Sequence, residues 1–348
     1  MYTRIPEPSM TVSSMLSGKR LLISYAPDWL ITFVLSAAFF SLDKVDGFRR
    51  HFSVGDPTIR FPFAHHERVP NFALYIIAIV SPAILQGLTN LVTLRSWWDL
   101  HNSLLGLVLS LSITGSVTQV TKLTVGRPRP DMLDRCQPKP GSVDPIFGLS
   151  DSSICTTVAN SPTLMDGFRS FPSGHSSLSF AGLGFLAFYV AGKTHLFDKR
   201  GYVARAWLSL TPFMGAALVA ISRTMDSRHH WQDVLVGSIL GTVVSYFAYR
   251  QYYPSLASEV SHLPYSPRIS DEMASNLHPR RPSSRQYRDD HHRPTGEDVF
   301  ESGPLEGTVL RDGPSSLRET WHNDHQESET SALGPRQQTR SGIPLESV

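Results

Sequence analysis

From Asn71 to Leu94 the chain runs for 24 residues without an Asp, Glu, Lys or Arg. A helix rising about 1.5 Å per residue crosses the roughly 30 Å hydrocarbon layer of a bilayer in about 20 residues, so this run is long enough to span one. Pro82 and Gly87 inside it are tolerated in membrane helices, where neighbouring groups satisfy the freed backbone. Five further apolar stretches join it. The six lie near 26–42, 71–94, 101–121, 175–192, 203–222 and 234–250, and they predict an all-α fold, a six-transmembrane helical bundle. The first is the weakest. Its apolar core, Trp29 to Leu42, is short, and Pro27 with Asp28 interrupts any extension toward Lys19 and Arg20. An interfacial helix or a signal anchor is the alternative there. No small-residue cleavage site follows, which argues against a cleaved signal.

Whole-chain averages conceal a division. Hydrophobic residues make up 41% of the 348 and the mean hydropathy is −0.12, but residues 251–348 hold ten of the 25 prolines and almost no apolar run. Such a segment buries too little apolar surface to offset its ordering entropy. The expected organisation is an N-terminal segment over 1–25, a membrane domain over 26–252 and a disordered tail over 253–348. A net charge of +2 gives no reason for a nucleic-acid partner. Two cysteines, Cys136 and Cys155, are too few for a disulfide scaffold or a cysteine-built zinc site.

Six spans place both termini on one side and the loops 43–70, 122–174 and 223–233 on the other. Arg4, Lys19, Arg20, Lys193, Lys199 and Arg200 favour a cytosolic N-terminus, but the 122–174 loop is basic as well, so topology alone does not explain its charge.

Three clusters fall on that second face. Lys122, Arg127, Arg129 and Pro130 end the third span. Phe171, Pro172, Ser173, Gly174, His175, Ser176 and Ser177 precede the fourth, with Ser173 a plausible helix N-cap and the free amides behind it an anion site. Ser222, Arg223, Asp226, Arg228, His229, His230 and Asp233 join the fifth and sixth. His229 and Asp233 are four apart, so on a helix they share a face and the carboxylate can hold one ring nitrogen. Each cluster alone has a bland reading: cations at a membrane boundary, a turn before a helix, a hydrogen-bonding loop. None of these readings predicts that all three meet at one face. Together they supply cations, backbone amides and two histidines, a set that suits a phosphate monoester or a pyrophosphate. His65, His66, His101 and Asp99 lack such company and read as loop or interface residues, and Gly237 with Gly241 reads as a close-packing face of the last helix.

The spacing Lys122-x6-Arg129-Pro130, then Pro172-Ser173-Gly174-His175, then Ser222-Arg223-x5-His229-x3-Asp233 resembles the three-part signature of the type-2 phosphatidic acid phosphatase superfamily, which includes lipid phosphate phosphatases and vanadium haloperoxidases. Two stretches, 58–70 and 127–136, look like its fungal diacylglycerol pyrophosphate phosphatase branch. The resemblance covers about residues 20 to 250. It implies a metal-independent hydrolase of lipid phosphates that uses no cofactor and passes through a phosphohistidine. His229 would be the nucleophile, Asp233 its orienting carboxylate and His175 the general acid. Lys122, Arg129, Arg223, Ser173 and the Gly174 amide would hold the phosphoryl oxygens. Arg127, Asp226, Arg228 and His230 would be supporting or loop residues. It also implies cytosolic termini and a lumenal or extracellular site in an endomembrane, vacuolar or Golgi, or the plasma membrane. There an oxidising compartment would allow a Cys136–Cys155 disulfide, with two free thiols as the alternative. The rival readings are a metal-dependent hydrolase using His175, His229, His230 and Asp233 as ligands, and a non-catalytic binder or transporter of phospholipids. The apolar body makes a haloperoxidase weaker still.

Overall fold

The computed structural model describes residues 18–198, 200–268 and 308–309, with backbone only for 18–22. Among these residues the fold is all-helical, with isolated bridges and no strand. Six helices of 20 residues or more carry it: α1 Gly18–Leu42, α2 Asn71–Val92, α3 Trp97–Val125, α6 Gly174–Lys193, α7 Val203–Met225 and α8 Trp231–Tyr252. Two short helices, α4 Met132–Cys136 and α5 Pro162–Gly167, lie in the long connection between α3 and α6. Within α2, Ile76–Val80 is a π-turn.

α1 begins earlier than the sequence predicts and runs straight through Pro27 and Asp28. The charge that discouraged that extension is neutralised from far away, because Arg268 donates to the Asp28 carboxylate at 2.6 Å. Pro27 forfeits one backbone bond, and Thr32 Oγ1 takes up the Asp28 carbonyl at 2.7 Å.

α6 is the axis. It packs against α8 most extensively, then α7, α3 and α2. Close approach requires small residues, and they are present. A Cβ on Gly241 would stand 2.3 Å from the Ser177 carbonyl oxygen, and one on Gly237 would stand 2.6 Å from that of Ser173, which confirms the expected packing face. Gly182 meets α2 in the same way, its absent Cβ 1.9 Å from the Ala78 carbonyl oxygen inside the π-turn. The interior is correspondingly rich in Ser and Gly, whereas Phe72, Leu91, Leu218 and Val243 are more than half exposed on the outside. An apolar exterior of this extent belongs in lipid, not water. Four helices are long and apolar enough to cross a membrane: α1 from Ile23, α2, α3 and α7. α6 and α8, also expected as spans, fall short in hydropathy because their buried faces are built from serine and glycine.

At the end of the bundle where α3 begins, Asp99 is fully buried. It accepts from Lys193 Nζ at 2.6 Å, Asn90 Nδ2 at 2.6 Å, and the hydroxyls of Tyr189 at 2.7 Å and Tyr253 at 2.9 Å. The sequence reading of Asp99 as an unaccompanied loop residue is therefore corrected. Its partners are up to 154 positions away, beyond any local pattern. His101 is likewise inside this end, stacked on Trp98 and accepting from Trp29 Nε1.

The expected disordered tail does not begin at 253. Residues 253–268 lie against the bundle: Trp98 Nε1 donates to the Tyr265 carbonyl at 2.8 Å, Lys193 Nζ donates to that of His262 at 2.6 Å, and Ser266 pairs with Val309. Composition misled here because these contacts are polar and made by single residues. The rest of the tail, like residues 1–17, lies outside the described residues. A chain ending at Tyr253 loses all these bonds, so its melting temperature in detergent should fall by about 5–10 °C. One ending at Arg268 should stay within about 2 °C of the full chain. Equal melting of the two truncations would deny the strap any role in stability.

Candidate active site

The connection from α3 to α6 and the one from α1 to α2 fold together into a cap with a small core of Phe52, Ile59, Met132, Leu164 and Phe168. Cys136 and Cys155 are joined in a disulfide across it, with Cα atoms 4.7 Å apart, so the two-thiol alternative is set aside. Intact mass measured without reductant should be two hydrogens lower than with it. Replacing the pair by serine should cost about 3 kcal/mol for a closed loop of this size, read from thermal melts.

α3 ends at Gly126, which adopts φ +57° as a left-handed cap. The chain then turns over the end of the bundle, carrying Arg127 and Arg129. α6 starts on the capping hydroxyl of Ser173, which accepts from the Ser176 amide at 3.4 Å. α8 starts on His230, with the Asp233 carboxylate returning to the His230 amide at 3.1 Å. These three helix ends surround one cavity of about 490 Å³, whose wall includes Lys122, Arg129, Gly174, His175, Arg223 and His229. Six of the eight predicted site residues thus line one space. Ser173 and Asp233 do not; both are fully buried behind the wall.

His229 Nδ1 lies 2.7 Å from the Ser170 carbonyl oxygen. A carbonyl only accepts, so Nδ1 carries the proton and the neutral ring keeps its lone pair on Nε2. Burial, then the positive charges of Arg129 and Lys122, hold this histidine well below its ordinary pKa. The ring is a neutral base at physiological pH. His175 Nε2 donates to the Val69 carbonyl at 3.0 Å, which leaves Nδ1 as its exchangeable nitrogen.

The expected pairing of Asp233 with His229 is not made. Asp233 instead ties the three sequence clusters together. Its carboxylate accepts from Arg127 at 2.6 Å, from the Ser170 hydroxyl and from the His230 amide, and its carbonyl accepts from the Ser173 amide at 3.0 Å. It reaches His229 only through Ser170, whose carbonyl holds the ring. The four-residue spacing failed because α8 begins at Trp231. His229 is outside the helix and does not share its face.

The cations divide into two kinds. The guanidinium groups are already engaged: Arg129 with Asp166 at 2.6 Å, and Arg223 with Glu67 at 2.8 Å and Asp226 at 3.1 Å. Lys122 makes no hydrogen bond or ion pair with any described residue. Its Nζ lies over Gly174, where a Cβ would come within 3.2 Å of it. A side chain at 174 would make the tip of Lys122 shift by a few tenths of an ångström.

Several residues were missed or undervalued. Asp166 lines the cavity and pairs with Arg129, Arg135 and, at 3.8 Å, Arg228. Against the cost of burial, Arg129, Arg135 and Lys122 pull its carboxyl down to about 2. Nothing in its sequence neighbourhood signalled it. Glu67 bridges Arg223 and Arg228 and lies in the stretch 58–70 already singled out. Asp226 and Arg228 stand in the turn after α7 but are buried, which favours the supporting role over the exposed loop. Phe63 stacks beneath both Arg135 and Arg228, 4.6 and 4.4 Å from its ring centroid, and fixes that stretch over the site. Among the described residues no group of three or more His, Cys, Asp or Glu side chains is placed to hold a metal ion.

An all-helical body with an apolar exterior, and a buried cavity of cations and histidines at one end, define a membrane protein that handles an anionic group. Residues 103–256 match the PAP2 superfamily, and the chain belongs to that superfamily. It is 39% identical over 255 residues to the probable diacylglycerol pyrophosphate phosphatase 1 of Schizosaccharomyces pombe, covering 72% of this chain and 89% of that protein. It is 41% identical over 233 residues to diacylglycerol pyrophosphate phosphatase 1 of Saccharomyces cerevisiae, covering 64% and 77%. Lipid phosphate phosphatase 2 of Arabidopsis thaliana is 39% identical over 230 residues, covering 65% and 77%. No solved structure matches the chain.

Proposed function

We propose that the chain is an integral membrane lipid phosphate phosphatase that removes the terminal phosphate of diacylglycerol pyrophosphate, phosphatidate or a related lipid through a phosphohistidine. One observation carries the reading: a neutral histidine, His229, held by a backbone carbonyl at the wall of a cavity that also presents Lys122, a cation with no ion pair or hydrogen bond to a described residue. In the first step His229 Nε2 bonds to phosphorus as the bond to the leaving oxygen breaks. Nδ1 of His175, protonated once the anionic phosphate is bound beside it, supplies that oxygen's proton. In the second, water attacks phosphorus, its proton passes to His175, and the N–P bond breaks. Lys122, Arg129, Arg223 and the Gly174 amide stabilise charge on the phosphoryl oxygens. Ser173 shapes the helix end, and Asp233 positions His229 through Ser170.

The metal-dependent reading is the less favoured, since Asp233, one of its ligands, is engaged by Arg127 and Ser170 behind the cavity wall and apart from His175 and His229. We place six spans in the membrane. α6 and α8 match the others in length; α6 is enclosed by them and need not be apolar, and α8 carries an exposed apolar face of Leu235, Ile239, Val243 and Phe247. The membrane domain then runs to 268. The disulfide in the cap supports a lumenal or extracellular site. Phosphate release from diacylglycerol pyrophosphate and phosphatidate in mixed micelles, with excess chelator, tests the reading. Release that survives the chelator supports it. Loss on chelation returns the metallohydrolase, and no release from folded protein leaves a lipid binder or transporter.

A further inference from the structure

The cavity is larger than one phosphate requires, and it does not end at the histidines. Its wall continues from Lys122 to Asp43, Lys44 and Arg169, with Phe39, Phe40 and Tyr75 beside them. Arg169 is spent on structure: it donates to the Asp43 carbonyl at 2.7 Å and to that of Val45, which closes the end of α1. The Asp43 carboxylate is spent as well. It accepts from Gln119 Nε2 at 2.7 Å and faces Arg169 at 3.4 Å, so it does not neutralise its neighbour Lys44. Among the lining cations, Lys122 and Lys44 are the two whose side chains have no ion pair or hydrogen bond with a described residue. Lys44 is exposed at this end of the cavity, on backbone pinned by its own amide to Ser41 and by Phe48 to Leu123.

In-line displacement requires the leaving oxygen to lie opposite His229 Nε2. The remainder of a headgroup therefore points away from the histidine, past Lys122. We propose that Lys44 is the specificity-determining residue of a second anion subsite, which takes the inner phosphate of a pyrophosphate-bearing lipid while Lys122 takes the terminal one. The inference rests on the proposed phosphatase reading. When the anhydride bond breaks, its electron pair goes to the bridging oxygen, which takes the proton from His175 and leaves with the inner phosphate, whose other anionic oxygens lie beside Lys44. A monophosphate lipid has no inner phosphate to place there.

The test uses the full-length chain in mixed micelles as wild type, Lys44→Gln and Lys44→Arg. The ratio of kcat/KM for diacylglycerol pyrophosphate over phosphatidate should fall about tenfold in Lys44→Gln and stay within about twofold in Lys44→Arg. An unchanged ratio in Lys44→Gln, whether or not both rates fall, overturns the subsite. A binding arm needs no turnover. At equal concentration inorganic pyrophosphate should raise the melting temperature of the wild type more than orthophosphate does, and Lys44→Gln should lose that difference. If the wild type hydrolyses neither lipid, the phosphatase reading fails, and the binding arm alone decides the subsite. If neither free anion binds but the lipid ratio falls, the subsite stands and is specific to the lipid.

Discussion

His229→Ala should reduce phosphate release by about 10⁴-fold or more while leaving the melting temperature in detergent within a few degrees of wild type. Two facts set the size of the effect. The ring is the only protein nucleophile in the proposed chemistry, and it is held by a backbone carbonyl, so its removal leaves no buried charge unpaired. The pH profile supplies an independent check. Burial and the neighbouring Arg129 and Lys122 lower the His229 pKa, so the neutral, reactive ring persists below the ordinary histidine value of about 6.5. The acid limb of kcat/KM should lie below that value, and Arg129→Gln should move it upward by removing one of the lowering charges. The same shift fixes the sign for stability. The unfolded chain takes up a proton at about 6.5 and the folded one only at lower pH. The contribution of His229 is thus complete above about 6.5 and is lost as pH falls toward the depressed value. A variant that retains wild-type turnover would end the phosphohistidine reading, and an acid limb above 6.5 would contradict the neutral ring.

Asp99→Leu should be the most damaging single change to stability, about 3–5 kcal/mol, without altering the chemistry of folded molecules. It leaves the Lys193 ammonium buried without a counter-charge and strips an acceptor from Asn90, Tyr189 and Tyr253. Asp99 and Lys122 are 23 residues apart on α3, about 35 Å along the helix, so turnover per folded molecule should be unchanged. Coupling Asp99→Leu with Lys193→Met removes both charges and should recover much of the loss, because the penalty belongs to the orphaned ion. Thermal melts of the two single variants and the double variant decide this. A wild-type melting temperature for Asp99→Leu would show that the buried pair contributes nothing.

The comparison of Asp99 with His229 explains what was legible in the chain. The three clusters at the active site could be read because each is contiguous and ends a helix, so local spacing and helix-end chemistry carry the signal. The Gly237–Gly241 face was legible for the same reason. Asp99 was passed over because its partners come from α2, α6 and the end of α8. Asp166 escaped notice because it stands in a short helix of the cap, with arginines reaching it from 129, 135 and 228. The tail boundary failed because composition averages over many residues, whereas 253–268 is held by a few individual bonds to Trp98, Lys193 and Asp28. The hydropathy of α6 and α8 misleads in the opposite sense. α6 is enclosed by other helices and has little lipid to face, whereas α8 keeps an exposed apolar face and packs on α6 through Gly237 and Gly241.

The sequence by itself determined an all-helical, lipid-seeking body, the superfamily and most of the residues that gather around the cavity, since apolar run length, helix-end residues and motif spacing are all local properties. Only the tertiary structure decided which charges meet. It placed Asp233 behind Ser170, apart from His229, engaged the arginines with Asp166 and Glu67, and left Lys122 and Lys44 without an ion pair among the described residues. The physical reason is that an ion pair depends on distance in space, and residues brought together by helix packing leave no trace in their spacing along the chain.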